Sequence, residues 1–313
     1  MRTRKLGKNG PEISVVGFGT WAAGGDMWGK TQDDDVIAAM RRSFELGVNW
    51  VDTADAYGDG HAEELVAEAV QGRDDIFVAT KVGFQPEGGF SLAPAYIRKA
   101  CERSLKRLRT EALDLYQFHW PYDKKTPIEE SWATMMELQD EGKVRFAGVS
   151  NFWVKHLERC EPARHVDSLQ PEYSMLHRPV EDEVLEWCRK HGTGVITYGS
   201  LAYGLLTGKF KADATFDEKD WRSGSMGISY YERLFAPDVF PGRLATVERL
   251  KEVASGLGIP VAQLAIAWLL RDEVVTSAIV GAKRPSQIEE TAGAGDVVLD
   301  DATLRDIEEI LGS

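Results

Sequence analysis

The chain has 313 residues, with 37 Lys and Arg against 50 Asp and Glu, for a formal net charge of −13. That balance excludes a nucleic-acid or anionic-membrane partner, since both demand a basic face. An apolar fraction of 43% with nine Trp and twelve Phe supplies a sizeable core, and the N-terminus "MRTRKLGKNG" carries no apolar leader. Cys101, Cys160 and Cys188 lie far apart in no metal or redox spacing, so a reducing, cytoplasmic setting is expected.

Taken in chain order, "RKLGKNGPEIS" reads as a small hairpin with an Asn9-Gly10 turn. Eight short apolar runs follow, at 14–19, 48–53, 75–81, 113–119, 144–150, 166–170, 193–198 and 276–281. A helix-length amphipathic segment comes after each, the pattern of parallel strands joined by crossover helices. Gly47 stands where a left-handed helix cap is expected. In 91–108, Ile97, Cys101, Leu105 and Leu108 share one stripe, so Cys101 reads as core. Thr126-Pro127-Ile128-Glu129 has the form of a capping box with proline at the first helical position. The stretch 209–241 reads as a long irregular insertion, a kind of loop that tends to be functional. A helical pattern over 300–311 ends the chain. No linker or low-complexity tract divides it, so 1–313 is read as one domain of the α/β class. Eight βα units then close best into a (β/α)8 TIM barrel, with the hairpin over its floor. An open doubly wound sheet is the alternative, weakened because no G-x-G-x-x-G follows any run.

In such barrels chemistry collects at the carboxyl ends of the strands. Asp52, Lys81 and His119 end the second, third and fourth runs, and Tyr57 stands in the loop after Asp52. Lys81 is the natural counter-ion of Asp52. Its ammonium beside Tyr57 is expected to stabilise phenolate and lower the tyrosine pKa, while His119 offers a hydrogen bond to a substrate oxygen. An Asp–Lys pair alone reads as structural more often than catalytic. The arrival of a phenol and an imidazole at the same rim favours the functional reading.

Ser150, Asn151 and Gln170 end the fifth and sixth runs, where they suit a carboxamide or, equally, act as strand-end caps. Tyr198 ends the seventh and presents a ring for stacking on a nicotinamide. After the eighth run "GAKRPSQIEE" opens a helix whose free amides suit a phosphate. Lys283 and Arg284 favour a 2′-phosphate and hence NADP(H), with NAD(H) open and a solvated surface pair the plainer alternative. Trp21, Trp28 and Trp120, with Tyr230 and Tyr231 in the insertion, suit the wall of a site for an apolar carbonyl or a sugar ring.

"GFGTW" (17–21), "VDTADAYG" (51–58), "ATK" (79–81), "LDLYQFHWP" (113–121), "GVSNF" (148–152), "LQPEYS" (169–174), "GLLTGK" (204–209) and "IVGAKRPSQIEET" (279–291) resemble, in order and over nearly the whole chain, the landmarks of the aldo-keto reductase superfamily. The resemblance implies an NAD(P)H-dependent carbonyl reductase on a (β/α)8 barrel, with a small carbonyl or alcohol as partner and no metal. Asp52, Tyr57, Lys81 and His119 match the family's catalytic tetrad. Tyr57 would be the general acid, tuned by Lys81, which Asp52 holds, and His119 would orient the carbonyl. Cofactor contacts are implied for Gly19, Thr20, Trp21, Ser150, Asn151, Gln170, Tyr198, Ser200 and Leu201, and for Arg222 at the pyrophosphate. Gly281, Lys283, Arg284, Gln287 and Glu290 would take the adenosine half. Ser200 stands where the family usually has proline, and Thr291 where asparagine is common. Two other functions stay open. One is a cofactor-holding regulatory subunit of a membrane complex; the other is a lyase using Lys81 as a Schiff-base nucleophile, which the nearby Asp52 disfavours. Nothing in the sequence selects an oligomeric state.

Overall fold

The computed structural model describes residues 1–25, 27–29 and 31–312. A hairpin of β1 (Thr3–Lys5) and β2 (Glu12–Ser14) leads into β3 (Val16–Gly19), α1 (Asp33–Glu45), β4 (Trp50–Asp52), α2 (His61–Ala69), β5 (Phe77–Val82), α3 (Pro94–Leu108) and β6 (Leu113–Phe118). Then come α4 (Ile128–Asp140), β7 (Val144–Ser150), α5 (Val154–Cys160), β8 (Ser168–Gln170), α6 (Val184–His191) and β9 (Gly194–Thr197). The last elements are α7 (Ser229–Leu234), α8 (Phe240–Gly256), α9 (Val261–Leu269), β10 (Val275–Gly281), α10 (Pro285–Ala292) and α11 (Asp301–Gly312). Strands β3 to β10 are parallel, and β10 pairs with both β9 and β3, so the sheet closes into a barrel. The eight apolar runs are its eight strands, and the open-sheet alternative falls with that closure.

The barrel floor is filled from outside and inside together. Leu6 and Ile13 of the hairpin pack with Trp50, Ala79, Leu115, Ile196 and Ile279, all buried. Burying a large apolar side chain of this kind contributes about 1.5–3 kcal/mol. The Trp50 indole N–H donates to the carbonyl of Ser14 and to Ser277 Oγ, both at 3.0 Å, and so leaves no buried donor unpaired. Helices cover the outside by their apolar stripes. In α3, Ile97, Cys101, Leu105 and Leu108 are buried as their spacing predicts, and burial pushes the Cys101 thiol up to about 12, which makes it inert. Gly47 closes α1 at φ 88. Among the described residues no single helix is long and apolar enough to cross a membrane.

Three local expectations are corrected. The hairpin does not turn at Asn9-Gly10. Its connection runs from Leu6 to Pro11, closed by Leu6 N–H to the Pro11 carbonyl at 2.8 Å, and the left-handed residue is Gly7. Gly7 lies against the backbone of Asp167, Gly192 and Gly194, where a Cβ would sit within 2.9 Å of each. Docking on the barrel floor, rather than a tight turn, sets the loop. The capping box at Thr126 also does not form. Pro127 is the N-cap, and Asp123 Oδ1 accepts from the amides of Lys125 (2.8 Å) and Thr126 (3.1 Å) instead. The stretch 209–241 is less irregular than expected, holding a 3-10 turn at Trp221–Ser223 and helix α7.

Candidate active site

Asp52, Lys81 and His119 are delivered to one rim because β4, β5 and β6 are neighbours in register and end together. Tyr57 follows in a 3-10 turn whose Gly58 and Asp59 have φ 60 and 53. Gly58 packs on Gly24, where a Cβ would meet the Gly24 carbonyl oxygen at 2.8 Å, so this contact requires glycine and presses the Tyr57 turn against the loop after β3.

The ammonium of Lys81 is wholly buried and donates three hydrogen bonds: to Asp52 Oδ2 at 2.7 Å, to the Thr53 carbonyl at 2.9 Å and to the Tyr57 hydroxyl at 3.2 Å. The second oxygen of Asp52 accepts from Gln170 Nε2 at 2.7 Å, so the carboxylate is satisfied on both sides. The His119 ring stands edge-on to that of Tyr57, centroids 5.7 Å apart. Burial, and then the charge of Lys81, hold His119 well below its ordinary value, which leaves the imidazole neutral. Its Nδ1 is buried without a hydrogen-bond partner among the described residues, so Nε2 is the nitrogen open to a ligand.

The direction of the Tyr57 shift reverses the expectation. Burial of the phenol, then the charges of Asp52 and Asp55, push it well above its ordinary value. The reason is that Lys81 is not a free cation: Asp52 already neutralises it, and burial pulls the ammonium itself below its ordinary range.

Two hollows meet at this group. A cavity of about 660 Å³ is walled by Trp21, Phe84, Trp120, Tyr122 and Tyr230, and Ser150, Asn151 and Gln170 also reach it. A groove of about 310 Å³ runs from Gly19 past Ser200, Leu201 and Arg222 to Gly281, Lys283 and Gln287. Trp21, Tyr57 and Tyr198 line both. Trp120 stacks on Tyr122 at 4.7 Å in the cavity wall. Trp28, expected in the substrate wall, belongs to the groove instead. Trp28 bridges to Asp220 and Trp221 N–H donates to the Met27 carbonyl, which lays the Trp28 indole against the Arg222 guanidinium. Tyr231 lines neither hollow.

Several expected cofactor groups are engaged within the chain. The Thr20 hydroxyl donates to the Asp52 carbonyl at 3.0 Å and does not face the groove. Asn151, left-handed at φ 62, donates from Nδ2 to the His119 carbonyl and to Ser150 Oγ, and accepts from the Tyr198 hydroxyl at 2.7 Å. Arg222 forms a double contact with Asp220 (2.6 and 2.9 Å) and Glu290 pairs with Lys209 at 2.6 Å. Lys283 donates to the Trp28 carbonyl, whereas Arg284 is exposed at the N-cap of α10 with no ion pair among the described residues.

The Aldo/keto reductase family model matches residues 15–312. The chain belongs to the aldo/keto reductase family. Aldo-keto reductase YhdN of Bacillus subtilis is 36% identical over 99% of this chain and 94% of its own. A probable voltage-gated potassium channel subunit beta of Arabidopsis thaliana is 33% identical over 100% and 97%. Among solved structures, a glycerol dehydrogenase of Gluconobacter oxydans superposes with a TM-score of 0.87 at 34% identity, covering 99% of this chain and 94% of that one. An aldo/keto reductase of Klebsiella pneumoniae, solved with NADP and acetate, gives 0.74 at 28%, covering 99% and 96%.

This aldo/keto reductase places Tyr230, expected in the wall, in the cavity lining, and around it carries contacts that no sequence pattern announced. The α7 residue Tyr230 reaches the Tyr198 hydroxyl at 3.0 Å and stacks on Tyr203 at 4.7 Å, and Arg233 anchors the same helix to Glu172. Asp55 is 4% exposed, and neither carboxyl oxygen has a hydrogen-bond partner among the described residues. Burial, then Glu63, push it well above the ordinary carboxylate range against Arg103, Arg107 and Lys81. The folded state therefore holds a proton that the unfolded chain releases near pH 4. Stability is lost as pH rises from there toward the folded value. Asp55→Asn should raise Tm by roughly 2–6 °C at pH 7.5, with the gain vanishing near pH 4. Differential scanning calorimetry of both proteins across that range checks it; a gain over wild type no larger at pH 7.5 than at pH 4 refutes it.

Proposed function

We propose that this chain is an NADP(H)-dependent carbonyl reductase of the alcohol-dehydrogenase type, acting on aldehydes or ketones, sugar carbonyls among them, with 1–313 as one catalytic domain. The observation that carries the reading is the Tyr57 hydroxyl, backed by Lys81 at 3.2 Å, at the junction of cavity and groove. A bound reduced nicotinamide supplies hydride. Lys81 donates to the Tyr57 oxygen, so the phenol's own proton points away from Lys81 and toward the cavity. Its raised pKa keeps that proton in place through neutral pH, which suits reduction; alcohol oxidation, needing phenolate, should quicken as pH rises. His119, neutral, offers Nε2–H to the same carbonyl oxygen, and Asp52 with Gln170 fixes Lys81.

The groove fits the cofactor. Tyr198 presents a ring at the junction, and a carboxamide there would take over the place of the Tyr198 hydroxyl on Asn151 Oδ1. Lys283 and Arg284, which has no ion pair among the described residues, would meet a 2′-phosphate against an overall charge of −13. The Klebsiella structure with NADP and the Gluconobacter glycerol dehydrogenase support this reading. The plant channel-subunit relative favours a regulatory role as a second reading, and the assembled proton-donating group argues for turnover. A Schiff-base lyase is disfavoured because Lys81 is ion-paired and wholly buried. Three buried cysteines without a disulfide among the described residues support a cytoplasmic location. Mixed with 4-nitrobenzaldehyde, the protein should consume NADPH faster than NADH, followed by the loss of near-ultraviolet absorbance. Tight NADPH binding with no turnover over a panel of aldehydes and ketones would overturn the enzyme reading.

A further inference from the structure

The charges around the substrate cavity are one-sided. Lys81 lies behind Tyr57 and is neutralised by Asp52, and His119 is held uncharged. Arg107 is turned away, bonded to Glu63 and to the Asp59 carbonyl. Among the described residues no Lys or Arg lines the cavity, while Asp55 and Asp59 both do. Asp55 has its oxygens sealed off from solvent. Asp59 is different. Its side chain is exposed and has no ion pair among the described residues, and its left-handed backbone is pinned by Arg107 on its carbonyl at 3.0 Å. The walls of the same cavity present the stacked pair Trp120–Tyr122 and the 37%-exposed ring of Phe84, whose faces attract cations. A bound dinucleotide adds phosphate charge to a protein already at −13.

We propose that the substrate cavity selects carbonyl compounds by charge, favouring aromatic carbonyls that bear a cationic group over neutral ones and both over anionic ones, with Asp59 setting the preference. The inference rests on the carbonyl-reductase reading above. A substrate carboxylate entering this cavity loses water, meets no Lys or Arg among the described residues, and faces a like charge; a quaternary ammonium gains both a carboxylate and aromatic faces. Like and unlike charges about 6 Å apart, at an effective dielectric between those of protein and water, separate the two cases by roughly tenfold or more.

The test compares kcat/KM for 4-(trimethylammonio)benzaldehyde against 4-nitrobenzaldehyde, and for 4-carboxybenzaldehyde against its neutral amide, at low and high salt. It is run on wild type and on Asp59→Asn. Asparagine is chosen because it tolerates the left-handed backbone that residue 59 adopts. Dividing each ratio by the same ratio in the variant cancels the intrinsic reactivity of the aldehydes. The cation-to-neutral ratio should fall roughly fivefold in Asp59→Asn and the anion-to-neutral ratio should rise by a similar factor, both changes shrinking at high salt. Ratios that do not move between wild type and variant, or a wild type that prefers the carboxylate to the amide, would overturn the proposal. Neutral aldehydes being reduced in either case would leave the carbonyl-reductase reading standing. If no aldehyde is reduced, that reading fails, and quenching of tryptophan fluorescence by the four corresponding benzyl alcohols with NADPH bound still measures the charge order: cation above the two neutral alcohols above anion supports it, any other order refutes it.

Discussion

Tyr57→Phe should lower kcat for aldehyde reduction by about 10²- to 10⁴-fold, the range that a positioned acid contributes. The substitution removes one oxygen and keeps the ring, which lies 6.5 Å from Trp21 in a stacked arrangement and 4.9 Å beneath the Lys81 ammonium. NADPH affinity should therefore change by less than about threefold, a loss confined to the chemical step. The two numbers come from steady-state rates and a fluorescence titration of NADPH. In wild type the raised phenol pKa predicts no decline in reduction rate from loss of the Tyr57 proton between about pH 6 and 9. A variant retaining more than a tenth of wild-type kcat would remove Tyr57 from the role of acid.

Lys81→Met should cost both activity and stability. It leaves Asp52 buried at 3% exposure, with the Gln170 amide as the one remaining partner of its carboxylate among the described residues. Removing one member of a buried ion pair destabilises by about 3–5 kcal/mol, whereas replacing both members is often close to neutral. The double variant Lys81→Met/Asp52→Asn should thus recover most of the lost Tm and none of the activity, because the donor behind Tyr57 is still missing. Calorimetry and the aldehyde assay together separate the two effects. Equal Tm for wild type and Lys81→Met would show that the pair carries no net electrostatic stabilisation. An active double variant would show that Tyr57 does not need Lys81.

What the sequence alone determined follows from short-range physics. Alternating apolar runs and amphipathic segments specified eight parallel strands with crossover helices, because each strand must bury both faces and each helix one stripe. Position at a strand's carboxyl end placed Asp52, Lys81 and His119 on one rim, since neighbouring parallel strands in register end side by side. Closure of the barrel, which the sequence favoured over an open sheet, rests on the pairing of β10 with β3, Ala278 against Val16, and only the folded chain settles that choice. The same holds for every term that depends on what stands behind a residue. Gln170 bonds Asp52 from 118 positions away, so a residue read for a carboxamide already serves the ion pair. The sign of the Tyr57 shift turned first on burial of the phenol and then on the charge of Asp52, which also neutralises Lys81, and Trp28 moved to the groove because its backbone pairs with Asp220. Charge–charge and desolvation energies depend on distance and burial, which spacing along a chain does not encode; periodicity encodes only which face is buried.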